Sequence, residues 1–234
     1  MKNKNKIKIY ADGAEIKSIK KFNKSVLIKG FTTNPSLMKD NKIKDYTTFA
    51  KKILRIVKKK SISFEIFADD QKTIISQAEK INSWGKNIFV KVPYYNSKGK
   101  DNLKIIKLLS NKKIKLNITA IFEFKQISKI LNIINKNNKI IFSIFAGRIA
   151  DTGIDPSKII LKSVKATKKY KNIEILWASC RELYSIKEAE QLGCHIITVP
   201  KSILSKMHLF NKNLKKYSVE TSKQFFEDSK NINF

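Results

Sequence analysis

Eight short runs of β-forming residues alternate with stretches of helical periodicity through 234 residues, an order that predicts an α/β chain folded as a (β/α)8 TIM barrel. The length supports this, because eight strand–helix units close into a barrel of typically about 250 residues. Glycine usage supports it too. A doubly wound open sheet usually carries a Gly-rich phosphate loop after its first strand. Here only seven glycines occur, and none forms G-x-G-x-x-G. No linker, low-complexity tail or repeat divides the chain, so residues 1–234 are expected to form one domain.

The first strand run, Ile7–Ala11, ends at Asp12 and leads into a helical stretch over Ala14–Phe22. The second, Val26–Phe31, runs into Thr32-Thr33-Asn34-Pro35, and periodicity resumes over Tyr46–Lys59. The third, Ser61–Phe67, carries Glu65 and precedes a helix over Gln71–Trp84. The fourth, Asn87–Pro93, carries Lys91, ends on a proline, and is followed by Asp101–Leu109. The fifth, Lys115–Phe122, carries Asn117 and Thr119 before a helix over Glu123–Asn135. The sixth, Lys139–Phe145, carries Ser143 and reaches Gly147-Arg148 before a helix over Pro156–Tyr170. The seventh, Ile173–Ala178, ends in Ser179-Cys180-Arg181 and precedes Glu182–Gln191. The eighth, His195–Pro200, is mostly apolar apart from Thr198, and Ser202–Leu209 follows. A last helix is expected around Val219–Ser229, within about 217–230.

Composition bounds the rest. Apolar residues make up 42% of the chain, enough for the core of a globular protein. The apolar runs are short and broken by charge, and the basic start Met1–Lys6 lacks the apolar stretch of a secretory signal, so a cytoplasmic protein with no membrane partner is expected. Cys180 and Cys194 have neither metal-ligand nor disulfide-framework spacing and read as reduced thiols. The formal charge of +30 raises a nucleic-acid reading. Its lysines, however, are spread through the chain among abundant Asn and Ile, as an A+T-rich genome would produce. No zinc-finger, RNP or helix-turn-helix signature accompanies them, so no specific nucleic-acid partner is expected.

In a barrel, catalytic groups sit at the C-terminal ends of the strands. Seven of the eight runs supply a polar group where a core would take Val, Ile or Leu. Alone, each would read as an outward-facing residue on an edge strand, but a closed barrel has no edges. Lys91 stands out, because a buried lysine requires a paired charge or a lowered pKa, and a neutral amine attacks carbonyls to form a Schiff base. Lys29, in Leu27-Ile28-Lys29-Gly30, is a rival nucleophile from pattern alone.

Asp12, Gly30–Leu37 (Gly-Phe-Thr-Thr-Asn-Pro-Ser-Leu), Val90-Lys-Val-Pro93, Leu116-Asn-Ile-Thr119, Phe145-Ala-Gly-Arg148 and Ala178-Ser-Cys-Arg181 resemble the transaldolase family, in its order and at similar spacing. The chain is similar to the family's short form, and Phe145–Pro156 resembles transaldolase-like proteins of surface-polysaccharide gene clusters. The resemblance implies a class I aldolase mechanism on sugar phosphate substrates, without metal or cofactor. It matches Lys91 to the Schiff-base lysine, Asp12 to the acid/base for C–C cleavage, and Glu65 with Thr119 to the pair that orients a water. Thr33, Asn34, Asn117, Ser143, Phe145 and Ser179 match positions around the sugar, and Arg148 and Arg181 match the phosphate clamp.

Fructose 6-phosphate aldolases of the family tend to carry Gln and Tyr where this chain has Glu65 and Phe145. That difference favours transfer of a dihydroxyacetone unit over its release. Cys180 departs from the family, which usually has an apolar residue such as Phe or Ile there. Small members are often ring-like oligomers, so a homo-oligomer is an expectation by resemblance. The reading from another class is a polyanion-binding barrel with no catalysis.

Overall fold

The computed structural model describes residues 7–233. Eight parallel strands close into a barrel in sequence order: β1 (Lys8–Asp12), β2 (Ile28–Thr32), β3 (Ser61–Glu65), β4 (Ile88–Pro93), β5 (Leu116–Ile121), β6 (Ile140–Ile144), β7 (Ile173–Trp177) and β8 (Ile196–Pro200). β1 pairs with both β2 and β8, which closes the ring. Helices α1 (Ile16–Lys24), α3 (Tyr46–Ile56), α4 (Gln71–Ser83), α5 (Leu103–Asn111), α6 (Phe124–Leu131), α8 (Ser157–Thr167), α9 (Ser185–Gln191) and α10 (Lys201–Leu204) connect or follow the strands, joined by the short α2 (Pro35–Asp40) and α7 (Ala146–Ala150). A long helix, α11 (Leu214–Ser229), ends the described chain.

The sequence reading lacks α2 and α7, since six and five residues are too short to show a 3.6-residue period. α2 forms because Asn34 caps it, accepting from the Leu37 N–H at 3.0 Å, with Pro35 at its first position. The second strand starts later than expected, because Val26 and Leu27 lie exposed before it. The stretch Ser202–Leu209 divides into α10 and a short 3-10 turn over Met207–Leu209. The last helix starts at Leu214, earlier than expected.

Two apolar layers follow from the period of two along each strand. Outward residues such as Phe31, Ile62, Val90, Ile118 and Ile175 pack under the helices in the main core. Inward residues Tyr10, Phe89, Ile141, Leu176 and Ile196 form a smaller cluster inside the barrel. At Gly30, opposite Tyr10 across β1 and β2, an added Cβ would lie 2.5 Å from the tyrosine ring, so only glycine lets that ring cross the lumen. Above this apolar layer, toward the C-terminal mouth, the inward positions become polar. Register places Glu65 opposite Lys91, and Lys91 opposite Asn117.

Candidate active site

Lys91 is 5% exposed, near the end of the buried strand β4. Its Nζ pairs with Glu65 Oε2 at 2.9 Å and donates to the Thr33 carbonyl at 3.2 Å. The sequence left two solutions for a buried lysine, and the structure contains the paired charge. Lys29 lies exposed on β2, with its side chain outside this site.

Asp12, at the end of β1, accepts from Thr32 Oγ1 at 2.7 Å, and the Thr32 hydroxyl also meets that of Thr198. Burial holds the Asp12 carboxyl above the usual carboxylate range. Lys91 and the Thr32 hydrogen bond pull it down in part, while Glu65 adds to the rise. The site therefore holds one ammonium and two carboxylates in low-dielectric surroundings, an arrangement suited to moving a proton.

A cavity of about 220 Å³ at the C-terminal mouth is lined by Asp12, Asn34, Lys91, Ser143, Phe145, Arg148, Ser179 and Arg181, among others. Eight of the twelve residues singled out from sequence thus meet there. The other four stand behind or below them. Glu65 reaches the site through its pair with Lys91. Thr33 turns its hydroxyl to the Ser63 carbonyl and offers its own carbonyl to Lys91. Asn117 is fully buried, donating to Ser63 Oγ at 3.0 Å and accepting from Ser143 Oγ at 2.6 Å, so it orients Ser143. Thr119 Oγ1 is buried without a protein partner. The strand bulges beside it, with Ala120 at φ 54 and a register shift between Ile118 and Ile121, and such bulges re-aim side chains.

Arg148 and Arg181 arrive from different elements. Arg148, on α7, lies 5.6 Å from the Phe145 ring centroid. Arg181 follows β7 and pairs with Asp151 through two guanidinium nitrogens. Gly147 permits this convergence, because a Cβ there would fall 1.6 Å from the Ser179 carbonyl oxygen. Ser179 itself has φ 63, a left-handed conformation uncommon outside glycine and a known mark of functional turns.

Sequence reasoning missed Thr32, Thr198 and Cys180 among the cavity residues. The signal for Thr198 was present, a hydroxyl on an otherwise apolar strand. Cys180 Sγ donates to the Glu182 carbonyl at 3.2 Å, and burial pushes its thiol up to about 11, which keeps it a neutral wall of the site.

Residues 9–234 match the family described as transaldolase/fructose-6-phosphate aldolase. This chain belongs to that family. It is 34% identical over 203 residues to a probable transaldolase of Nitrosopumilus maritimus (strain SCM1), an alignment covering 86% of this chain and 87% of that protein. It is 31% identical over 215 residues to a probable transaldolase of Methanococcus vannielii, covering 92% and 94%. It is 32% identical to one from Dehalococcoides mccartyi, covering 86% and 90%. Among solved structures, a 2,3-dimethylmalate lyase superposes with TM-score 0.63 at 9% identity, over 99% of this chain and 85% of that one. KGPDC from Streptococcus mutans gives TM-score 0.53 at 9% identity, covering 84% and 88%. At that identity these likenesses concern the barrel alone.

Proposed function

We propose that this family member is a transaldolase that moves a dihydroxyacetone unit between sugar phosphates through an imine on Lys91. The observation that carries the reading is the Lys91–Glu65 pair at 2.9 Å, with Lys91, a half-buried Asp12 and two arginines lining one cavity. Lys91 loses a proton within this cluster and attacks the ketose carbonyl. Glu65 and Thr119 handle the water that leaves and later returns, the partnerless Thr119 hydroxyl being free to hold it. Asp12 takes the proton of the C4 hydroxyl as the C3–C4 bond breaks. The electron pair flows into the protonated imine, and an aldose phosphate departs. The enamine then attacks the acceptor aldehyde, with Asp12 returning the proton.

Arg148 and Arg181 grip the phosphate through their donor forks, Arg181 exchanging Asp151 for substrate. Asn34 spends its Oδ1 on capping α2, which leaves its amide NH2 to donate to the sugar. Ser143 and Ser179 line the wall beside it, with Phe145. Residues 1–234 act as one catalytic domain, in the cytoplasm. The exposed apolar side chains of α11 (Leu214, Phe225 and Phe226) would be covered in a homo-oligomer. No helix among the described residues is long and apolar enough to cross a membrane.

Borohydride with a ketose phosphate tests the chemistry by trapping an adduct on Lys91; an adduct on Lys29, or none with any ketose phosphate, would sink it. A donor panel run with and without an aldose phosphate separates transfer from free dihydroxyacetone release.

A further inference from the structure

The opposite, N-terminal mouth of the barrel opens on a second and larger cavity, of about 560 Å³. Its charge is one-sided. Lys8, Lys115 and Lys139 sit two residues before the inward-facing Tyr10, Asn117 and Ile141, so the period of two turns them toward the barrel axis. Four further lysines from the connecting loops, among them Lys58 and Lys86, complete the rim. Among the described residues the only carboxylate in the lining is Glu174, and it pairs with Lys8 at 2.7 Å. None of the other six lysines has a carboxylate within ion-pair distance among the described residues.

The groove of about 650 Å³ beside α8 is also lysine-lined and holds no carboxylate among the described residues, but its Lys162, Lys165, Lys168 and Lys169 all come from one stretch of chain, whereas the lysines of the mouth converge from separate strands and loops. The cleft of about 500 Å³ beside α4 and α5 balances Asp69, Asp70 and Asp101 against Lys98, Lys100 and Lys104. At the N-terminal mouth, burial and then the neighbouring Lys139 lower the pKa of Lys115. Like charges converging around one concave mouth focus a field that draws a multivalent anion.

We propose that this mouth is a binding site for an oligophosphate, either inorganic or carried as the phosphate tail of a nucleotide. Lysine binds phosphate as a point charge and needs no fixed fork geometry, which suits flexible side chains spread around a rim. The volume falls within the range of small-ligand pockets and well above a single orthophosphate. The lysines come from the starts of β1, β5 and β6 and from loops around the same end, so they ring the barrel axis and do not line a track along one face. That arrangement fits a compact anion better than a nucleic-acid backbone. Because the site lies at the other end from Lys91, it stands whether or not the imine chemistry does.

The test uses the full chain in calorimetry and thermal melts with sodium tripolyphosphate, ATP, orthophosphate, and sodium chloride at matched ionic strength. Tripolyphosphate should bind saturably, one per chain, and raise Tm by about 5 °C near saturation. Lys115→Gln combined with Lys139→Gln should weaken it at least tenfold while leaving retro-aldol activity within about twofold. Arg181→Gln, which alters only the C-terminal mouth, should leave tripolyphosphate binding unchanged. ATP competing with tripolyphosphate identifies a nucleotide tail, and tripolyphosphate binding alone identifies the inorganic ligand. If the double variant does not fold, Lys58→Gln with Lys59→Gln must weaken binding in its place. The proposal is overturned if binding does not saturate, if matched sodium chloride gives the same shift, if the glutamine variants bind as tightly as the parent, or if single-stranded RNA binds more tightly than either phosphate probe.

Discussion

Replacing Lys91 with Met tests the electrostatics of the site independently of turnover. The Lys91 and Glu65 side chains are 7% and 14% exposed, so the pair is largely out of water. Met fills much of the lysine volume but leaves the half-buried Glu65 and Asp12 with no cation beside them. Breaking a buried pair from one side costs about 3–5 kcal/mol. The residual exposure of Glu65 and the open cavity above it place this case near the lower bound, about 3 kcal/mol. For a chain of this size that corresponds to a fall in Tm of about 6–12 °C at pH 7.

The loss should shrink on the acid side. Without Lys91 the Asp12 carboxyl, already held above its ordinary range by burial, loses the charge that pulled it down and holds its proton more tightly in the folded state than in the unfolded state. The folded variant then binds more protons across the mildly acidic range, and its stability rises as pH falls. Adding Glu65→Gln should recover more than half of the loss, because the stranded charge is gone. Urea unfolding of the parent, the single variant and the double variant at pH 7 and pH 5 provides the comparison. A single variant within about 1 kcal/mol of the parent at pH 7, or a loss equal at both pH values, would refute this account of how Lys91 is held.

Asp12→Asn should abolish C–C cleavage yet leave imine trapping with borohydride intact, and it should raise Tm near pH 7. The folded pKa of Asp12 is raised, so its ionisation subtracts stability as pH climbs from the ordinary carboxylate value through the folded one, and Asn removes that loss; a lower Tm at pH 7 would contradict it. Thr198→Val deletes the hydroxyl that meets Thr32, which in turn donates to Asp12, and should reduce kcat about fivefold with KM nearly unchanged, the effect of about one hydrogen bond. Gly147→Ala forces the α7 backbone away from the Ser179 carbonyl and should raise KM for a phosphorylated ketose at least tenfold, with a smaller effect on an unphosphorylated one. Unchanged KM values for both would show that α7 does not place the phosphate clamp.

Much of the site was legible because it rides on regular strands. Asp12, Glu65, Lys91 and Thr119 each stand near the C-terminal end of a run with a clear period, so counting strands located them before any coordinates. What the pattern hid came from short elements and long-range pairing. The helix α7 has five residues around a glycine, and nothing local reveals that its chain passes within contact of Ser179, thirty-two positions later. Thr32 and Thr198 are 166 residues apart in sequence, and only the closure of β1 onto β8 brings their hydroxyls together beside Asp12.

The sequence by itself determined a closed parallel barrel and its family, and it singled out Lys91 with Lys29 as a rival, because strand periodicity and motif order are local properties of the chain. The tertiary structure decided which solution the buried lysine adopts, an ion pair with Glu65 across β3 and β4, and it turned Lys29 outward, away from the cavity. It also decided which lysines converge from separate strands and loops on one mouth of the barrel, while a balanced cleft stands elsewhere. Charge partners and cavities depend on which distant residues the register places side by side, and that information appears only when the ring of strands closes.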